Sequence, residues 1–402
     1  MEANGKGRET ANEASAALND EKKSRATRIW EGKKGEAESV LSNPAKARSV
    51  VANFKKWLEK FASPKIFAAR SNAAFDGVKT LFRALEATFS GEYRGFSKKT
   101  LVALTAAALY CVSPLDAIFD GIPGLGLCDD IFVVAAALKA FAGDLRTFRR
   151  WERTKAAREL FRDGRERLAA IERVVLCPGW LSAEASVDEI VEILRPTFPQ
   201  ATFDCYRWPS NVPWKAAREH VDGDGVELFA QFAETLPIEP EKIAIVGHSL
   251  GARLTARALA RRARRGEPPL GAAFLLGAAV DADEPELEAA ARGVRAPLGN
   301  FFAAADRVLK YAYQTAEGKR PLGLRGSKRK WENYVDCEVS GDEEFWLEFG
   351  ENAAALLGNK ALFWKFPLSA DVAAKAMEAS RHCFAQYASF FRDVFEAERD
   401  LN

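Results

Sequence analysis

The chain has 402 residues, of which 48% are hydrophobic and 28% charged, so it holds ample material for a buried core and is not globally disordered. One hydrophobic core usually stops growing below this length, which predicts more than one packed unit. The 58 Lys and Arg residues nearly balance the 56 Asp and Glu residues, so no net field favours nucleic acid, and no nucleic-acid partner is expected.

The cysteines lie far apart, in mostly apolar surroundings and without C-x-x-C spacing, which favours reduced, buried thiols. They are Cys111, Cys128, Cys177, Cys205, Cys337 and Cys383. The first ten residues, M-E-A-N-G-K-G-R-E-T, lack the apolar stretch of a secretory signal. Together these features predict a cytoplasmic location.

Residues 1–45 are predicted to form a disordered, charged tail, because they contain almost no aromatic or branched side chains to bury. A helical domain is predicted at residues 46–145. Between Val50 and Phe89 the apolar residues recur at helical spacing, which indicates two amphipathic helices separated near Pro64.

Residues 100–142 are the most apolar stretch of the chain, but prolines and aspartates interrupt it. These are Pro114, Asp116, Asp120, Pro123, Asp129 and Asp130. Neither half reaches the roughly 20 uninterrupted apolar residues needed to cross a bilayer. We therefore expect a helical hairpin that is buried or touches a membrane surface. The charged residues 146–171 have helical periodicity and are expected to form a linker helix.

From residue 172 to residue 397, short apolar runs alternate with amphipathic helical segments. The runs predict strands at V-V-L-C, A-T-F-D-C-Y-R-W, K-I-A-I-V, A-A-F-L-L, G-N-F-F-A and N-Y-V-D-C-E-V. Helices are predicted at about 187–195, 214–236, 250–265, 284–292, 343–363 and 369–396. This alternation favours an α/β fold with a mainly parallel sheet flanked by helices, preceded by the all-helical N-terminal domain.

The strongest motif is the run I-A-I-V-G-H-S-L-G-A-R-L, in which a β-branched segment leads through Gly247, Ser249 and Gly251 into a helical pattern. A nucleophile turn of the G-x-S-x-G type requires this context, because the serine has a strained backbone and the glycines let strand and helix approach closely. The helix start also directs its backbone N–H groups towards the reacting centre. An ordinary turn with a structural serine is the alternative, and the flanking elements favour the nucleophile.

A serine hydroxyl needs a base, and the chain has three histidines. His248 lies inside the motif, where its side chain does not readily reach the neighbouring hydroxyl, and His220 precedes the serine within a predicted helix. His382 remains, and in this fold the histidine comes last. A helical insertion must then return the chain to the site. The alternative for His382 is a partly buried helix histidine.

The third group must be a carboxylate that lies between the serine and the histidine in the chain. Asp306 is the first choice, because it follows the run G-N-F-F-A-A-A and precedes R-V-L, where a strand ends and a helix begins. Asp281, after the preceding strand, is the second choice. Asp336 lies within a predicted strand and is expected to be structural.

An oxyanion hole needs two donors, one from the backbone N–H of Leu250 directly after the nucleophile and one from the loop after an early strand. The run V-V-L-C-P-G-W-L-S supplies such a loop, so the N–H of Trp180 is the second candidate. A plain strand-ending turn is the alternative. The expected substrate-binding residues are Gly179, Trp180, His248 and Trp208.

The segment from about 173 to 395 resembles α/β-hydrolases, through G-H-S-L-G-A-R, L-L-G-A-A-V, A-A-D-R-V-L-K-Y and the late H-x-x-x-x-Y. More narrowly, it is similar to an uncharacterised hydrolase group found in eukaryotic membrane-associated proteins and in scattered bacteria. The resemblance implies the roles already given to Ser249, Asp306 and His382, but no substrate. Members usually have a tighter S-G-H-x-x-Y arrangement, whereas here Ser340 and His382 are separated by an acidic, aromatic insertion.

The apolar stretch resembles a second family, the small YkvA-like domain, over residues 95–142. The run Y-C-V-S-P-L-D-A-I-F-D-G-I-P-G-L-G-L-C-D-D-I carries this resemblance. Its aspartates are expected to cap helices and bond within turns, in preference to binding a metal ion.

These features predict a serine hydrolase of the esterase or lipase kind, which acts on an ester or thioester through a Ser249–His382–Asp306 triad and an acyl-enzyme. No cofactor and no metal ion are expected. The expected partner is a small-molecule or lipid ester, with peripheral membrane contact through the hairpin. The alternative function is a non-catalytic module that binds a lipid or protein partner at a membrane surface.

Overall fold

The computed structural model describes residues 31–61, 72–112, 140–162, 165–181, 185–340 and 382–395. The chain divides into two compact units, Met1–Arg149 and Arg150–Asn402, and the division falls within the helix Ala142–Leu160. Most of the predicted hairpin, the whole of the predicted insertion between Ser340 and His382, and residues 1–30 of the predicted tail lie outside the described residues.

The first unit is helical over its described residues. Its helices span residues 31–41, Pro44–Phe61, Asn72–Phe89, Lys98–Cys111 and the start of Ala142–Leu160. The two amphipathic helices predicted around Pro64 are present. Residues 31–41, by contrast, are helical where the composition predicts a tail. Ala37 and Val40 lie three residues apart on one helical face and are both buried. A few apolar side chains are therefore enough for this segment to form a packed helix.

Aromatic and aliphatic side chains form the core of this unit. Tyr93, Phe96 and Phe148 make one cluster, with ring centroids 4.8 to 5.7 Å apart. Ser97 caps the helix Lys98–Cys111, because its Oγ accepts a hydrogen bond from the N–H of Thr100 at 3.1 Å. In the described part of the chain, no helix is both long enough and apolar enough to cross a membrane.

The second unit is built on a parallel sheet whose strands match the six predicted runs. They are β1 (Arg173–Cys177), β2 (Thr202–Cys205), β3 (Ile243–His248), β4 (Ala272–Leu276), β5 (Leu298–Ala303) and β6 (Tyr334–Ser340). Their order is β2-β1-β3-β4-β5-β6, and every neighbouring pair is parallel. The predicted fold class is thereby confirmed.

Both faces of the sheet are covered. In β3, Ile243 and Ile245 point into one hydrophobic cluster, while Ala244 and Val246 point into the other. The first cluster includes the helix Leu250–Arg264, called here the elbow helix. The second includes the helix Phe384–Phe395, called here the aromatic helix. A central strand buried on both sides therefore leads directly into Ser249.

The remaining helices follow the predicted plan with small differences. They span Ala185–Leu194, Trp214–Asp222, Asp224–Thr235 and Glu286–Arg292, with short helical turns at Pro240–Lys242, Val308–Tyr313, Gln314–Glu317 and Leu322–Arg325. The segment predicted as one helix over 214–236 is interrupted at Gly223, which has non-helical backbone angles and forms the boundary of both helices.

The segment predicted as a linker helix forms two helices, Ala142–Leu160 and Arg165–Ala169. Its side chains enter the core of the second unit. Phe161 is buried, stacks on Phe301 at 6.0 Å and contacts Phe274 edge-on at the same distance. The packing of the second unit thus extends N-terminally beyond residue 172, where the sequence predicts the hydrolase domain to begin.

Candidate active site

Ser249 lies in the sharp turn between β3 and the elbow helix. Its backbone angles, φ 55° and ψ −119°, are unfavourable for a side-chain-bearing residue. Two hydrogen bonds hold this conformation: the Ser249 N–H donates to the Leu276 carbonyl at 3.0 Å, and the Ser249 carbonyl accepts from the Ala279 N–H at 3.1 Å. The end of β4 therefore fixes the turn.

The glycines of the motif are required by close packing. A Cβ atom at Gly251 would collide with the carbonyl oxygens of Cys177 and Pro178, and one at Gly247 would lie 2.6 Å from Thr255 Oγ1. The elbow helix can therefore pass under the loop after β1 only without side chains at these positions.

The structure brings Ser249, His382 and Asp306 together, although they are far apart in the chain. The Ser249 Oγ and His382 Nε2 atoms are 2.7 Å apart, and His382 Nδ1 and Asp306 Oδ2 are 2.6 Å apart. A carboxylate only accepts hydrogen bonds, so Nδ1 carries the proton towards Asp306 and Nε2 presents its lone pair to the serine hydroxyl. All three side chains are buried.

Asp306 lies between β5 and the helical turn Val308–Tyr313. Its Oδ1 atom accepts a hydrogen bond from the Leu309 N–H at 2.9 Å. Its Oδ2 atom accepts from the hydroxyl of Tyr387 at 2.9 Å as well as from His382. The carboxylate is therefore oriented by three groups, one from the turn that follows it and two from the segment that contains His382 and Tyr387.

His248 lies next to this group, buried rather than at the surface. Its ring is stacked on Phe384, with centroids 5.0 Å apart and planes within 8°, and its centroid is 4.8 Å from that of His382. Neither ring nitrogen makes a hydrogen bond of ordinary geometry to the described residues. Burial, followed by the charge of the neighbouring His382, lowers the pKa of His248 well below its ordinary value, against a smaller raising effect of the His382 backbone.

The loop after β1 lies directly over the serine. A Cβ atom at Gly179 would be 2.7 Å from Ser249 Cβ and 3.1 Å from His248 Nδ1, so Gly179 contacts both side chains. Trp180 is partly buried, and its indole N–H donates to the Val212 carbonyl at 2.7 Å.

Trp208 supports this loop from the core. It is buried, and its indole N–H donates to the Pro178 carbonyl at 2.9 Å. Its ring is also stacked on His220, with centroids 5.9 Å apart and planes within 5°. Trp208 thus holds the backbone of the loop in place. The substrate-binding role that the sequence predicts for Trp208 stays a prediction.

The alternative residues are engaged elsewhere. His220 lies in the helix Trp214–Asp222, and burial lowers its pKa. Burial would raise the pKa of Asp281, but the Asp283 N–H and the Lys319 ammonium, 3.0 Å from Oδ2, outweigh it and lower the pKa. Asp336 binds the Asn300 amide, the Tyr334 hydroxyl and the Ser327 N–H, each at 2.7 to 2.9 Å, as expected of a structural residue.

Tyr387 is the contact that sequence reasoning missed. The late H-x-x-x-x-Y run contains it, and the apolar periodicity of F-A-Q-Y-A-S-F-F places it on the buried face of a helix. Neither signal indicates which atom its hydroxyl meets.

No group of three or more His, Cys, Asp or Glu side chains in the described residues is arranged to hold a metal ion. Five of the six cysteines are described, and all five are free thiols. They are Cys111, Cys177, Cys205, Cys337 and Cys383. Cys205 and Cys383 are only partly buried.

Comparison with known proteins confirms both resemblances noted in the sequence. Residues 100–136 match a family described as a protein of unknown function (DUF1232). The "Uncharacterized membrane protein YkvA" of Bacillus subtilis (strain 168) is 39% identical over 74 residues, which cover 18% of this chain and 70% of that protein. Residues 174–387, more than half of the chain and containing Ser249, Asp306 and His382, match the alpha/beta hydrolase family. The chain therefore belongs to the alpha/beta hydrolase family.

Proposed function

We propose that this chain is a serine hydrolase that cleaves a carboxylic ester or thioester through an acyl-enzyme. One observation carries the proposal: Ser249 Oγ, both ring nitrogens of His382 and the Asp306 carboxylate form a continuous hydrogen-bonded series, with separations of 2.7 and 2.6 Å. Such a series activates a serine hydroxyl, since the base is within proton-transfer distance and is itself oriented by a carboxylate.

In the first step, Ser249 Oγ attacks the acyl carbon while His382 Nε2 takes the hydroxyl proton, and a tetrahedral oxyanion forms. Its collapse breaks the bond to the leaving alcohol or thiol, which receives the proton from His382. In the second step, His382 takes a proton from water, the resulting hydroxide attacks the acyl carbon, and the acid leaves as Ser249 regains its proton. Asp306 stabilises the imidazolium during both steps.

We assign oxyanion stabilisation to the backbone N–H groups of Leu250 and Trp180. Leu250 is the first residue of the elbow helix, where unpaired N–H groups and the helix dipole favour negative charge. Trp180 follows Gly179, whose contact with Ser249 keeps this loop close to the reacting oxygen. Two converging donors are what a tetrahedral intermediate requires.

A fluorophosphonate probe tests this function without knowledge of the substrate, because it reacts with activated serines. The wild-type chain should be labelled and should hydrolyse p-nitrophenyl butyrate. Ser249→Ala should abolish labelling and lower hydrolysis by at least about a thousandfold, and His382→Ala should be nearly as damaging, since triad members act as a unit. His220→Phe, which keeps a ring against Trp208, is the matched control and should remain active.

The opposite results would point to the other function class. A wild-type chain that melts cooperatively but resists the probe would favour a non-catalytic module that binds a lipid or protein partner. Unchanged hydrolysis in Ser249→Ala would remove this serine from the mechanism, and inactivation by His220→Phe but not by His382→Ala would identify a different base.

We also propose that the helical region makes peripheral contact with a membrane. The sequence of residues 100–142 is apolar but interrupted by prolines and aspartates, and the B. subtilis relative of this region is described as a membrane protein. A lipid ester is accordingly the substrate class we favour.

A further inference from the structure

The hydroxyl of Tyr387 donates to the same carboxylate oxygen that binds the imidazole. Asp306 Oδ2 lies 2.9 Å from this hydroxyl and 2.6 Å from His382 Nδ1, while Oδ1 is bound by the Leu309 N–H. Asp306 is 0% exposed and Tyr387 1% exposed, so both hydrogen bonds form away from water. The described donors to this carboxylate, the Leu309 N–H, the Tyr387 hydroxyl and the Nδ1–H of neutral His382, all carry no charge before the reaction.

The aromatic helix brings Tyr387 to this position. It begins two residues after His382, and Phe384, Tyr387, Ala388 and Phe391 lie on one face, all buried. Phe384 packs on His248 while Tyr387 reaches Asp306. One turn of helix therefore contacts two groups next to His382.

The end of β4 leaves room for the tyrosine ring. Gly277 follows β4 with φ +53°, and a Cβ atom there would lie 2.9 Å from the Tyr387 ring. A larger residue would push the ring away from Asp306. The close fit between Gly277 at the end of β4 and Tyr387 on the aromatic helix indicates that this contact is specific and not incidental packing.

We propose that Tyr387 is a positioning residue of the hydrolase: its hydroxyl fixes the rotation of the Asp306 carboxylate and shares the negative charge of Oδ2, so that His382 stays aligned with Ser249. This inference rests on the proposed function. Without the hydroxyl, the carboxylate keeps, among the described residues, the Leu309 and His382 contacts and can rotate more freely about its Cβ–Cγ bond. The neutral base is then oriented less well towards the serine.

Removal of the hydroxyl should also change the pH profile. With one donor fewer, more of the negative charge on Oδ2 acts on the imidazole and stabilises its protonated form. The acid limb of the pH–rate profile should therefore move to higher pH. His382 contacts two titratable side chains, Asp306 and His248, and its Nε2 atom is hydrogen-bonded to Ser249, whereas the titratable Tyr387 hydroxyl contacts Asp306. Tyr387→Phe leaves the first two unchanged.

The test uses the full chain as wild type and as Tyr387→Phe, with Tyr313→Phe as a control. Tyr313 is also a buried tyrosine, on the turn after Asp306. Rates of fluorophosphonate labelling and of p-nitrophenyl butyrate hydrolysis are measured from pH 5 to pH 9. We expect Tyr387→Phe to label about tenfold more slowly at pH 7, the loss typical of one hydrogen bond to a charged group, with the acid limb raised by roughly half a pH unit. Tyr313→Phe should change neither.

A second variant covers the case in which Tyr387→Phe does not fold, as judged by its melting curve. Gly277→Ala keeps the hydroxyl but displaces the ring, so it should slow labelling and shift the limb in the same direction. If wild type is labelled and the folded variants match it in rate and in pH profile, the inference is overturned and the proposed function stands. If wild type is not labelled at all, the proposed function fails and the inference fails with it.

Discussion

His248 is the residue next to the nucleophile, and its environment differs from that of His382. Neither of its ring nitrogens makes a hydrogen bond of ordinary geometry to the described residues, and its ring contacts Phe384, His382 and Tyr387. A neutral imidazole tolerates such a site better than an imidazolium does. The sequence excludes His248 as the base because it is too close to Ser249 along the chain, and the geometry gives it a packing role beside the base.

This burial predicts a pH-dependent stability. A histidine in the unfolded chain ionises near pH 6.5, whereas the pKa of folded His248 is well below that value, so only the unfolded state takes up the proton. The contribution of His248 is therefore fully present above about pH 6.5 and is lost as the pH falls. At pH 5 the loss should reach up to about 2 kcal/mol.

Urea unfolding at pH 7 and pH 5 measures this loss. His248→Gln should reduce the difference in unfolding free energy between the two pH values, because the variant has no proton to take up at this position. His220→Gln is the comparison: burial also lowers the pKa of His220, but this residue is only partly buried, so its variant should lose less of the wild-type difference than His248→Gln does. An identical pH dependence in wild type and His248→Gln would show that the buried imidazole is protonated in the folded state.

At the scale of elements, the loop after β1 and the elbow turn are packed backbone against backbone. Gly179 lies against Ser249 Cβ, and Gly251 lies against the carbonyls of Cys177 and Pro178. Because neither contact partner is the end of a flexible side chain, an added methyl group has to move the loop or the nucleophile.

Gly179→Ala should therefore reduce activity more than stability. The new Cβ atom would be 2.7 Å from Ser249 Cβ, and a displacement of this order near the reacting atoms should slow fluorophosphonate labelling by about a hundredfold. Gly143→Ala is the matched control, since nothing lies within 4 Å of its new Cβ atom, and it should label at the wild-type rate. Wild-type labelling by Gly179→Ala would mean that the loop moves freely and does not position a donor.

The secondary-structure elements that the sequence predicts correctly are those specified by a short, continuous run of residues. The six strands are short β-branched or aromatic runs bounded by turn residues, and their alternation with helices identifies a parallel sheet. The sequence does not indicate the break at Gly223, because apolar periodicity continues across it. The composition of residues 1–45 does not indicate the helix at residues 31–41, because an average over the segment conceals its few buried positions, such as Ala37.

The site residues divide in the same way. Ser249 has a local motif, and His382 follows from elimination among three histidines and from chain order. Asp306 and Asp281 could be ranked but not separated, since the sequence does not reveal which strand end lies nearer the histidine. The contacts of Tyr387 and Gly179 depend on how a helix and a loop dock on the sheet, and no local pattern records that docking.

At the scale of the whole molecule, the hydrolase unit needs residues that precede its first strand. Phe161, Leu168 and Ile171 are buried in the cluster on the aromatic-helix side of the sheet. The Arg158 guanidinium donates to the carbonyls of Asp393 and Val394 at 2.7 and 3.3 Å. These contacts connect the start of the unit to its last described helix.

A chain shortened to begin at Arg150 should therefore fold and label like the full chain, whereas one that begins at Arg173 should not. The chain that begins at Arg173 lacks several core residues, among them Phe161. Deletion of one buried phenylalanine side chain already costs about 3–5 kcal/mol out of a total stability of about 5–15 kcal/mol. Thermal melting and probe labelling of both chains measure the difference. Equal melting temperatures would place the boundary of the unit after residue 172.

The two chain lengths also test the membrane contact proposed for residues 100–142. Two apolar segments broken by Pro114 and Pro123 are too short for independent crossings, and Asp116 and Asp120 would be costly at mid-bilayer depth. Surface contact avoids that cost, so it should be reversible. In fractionated cells, any membrane-bound full-length protein should be released by alkaline carbonate, and the chain that begins at Arg150 should not sediment with membranes. Retention of the full chain until detergent is added would identify these residues as an integral anchor and would contradict peripheral contact.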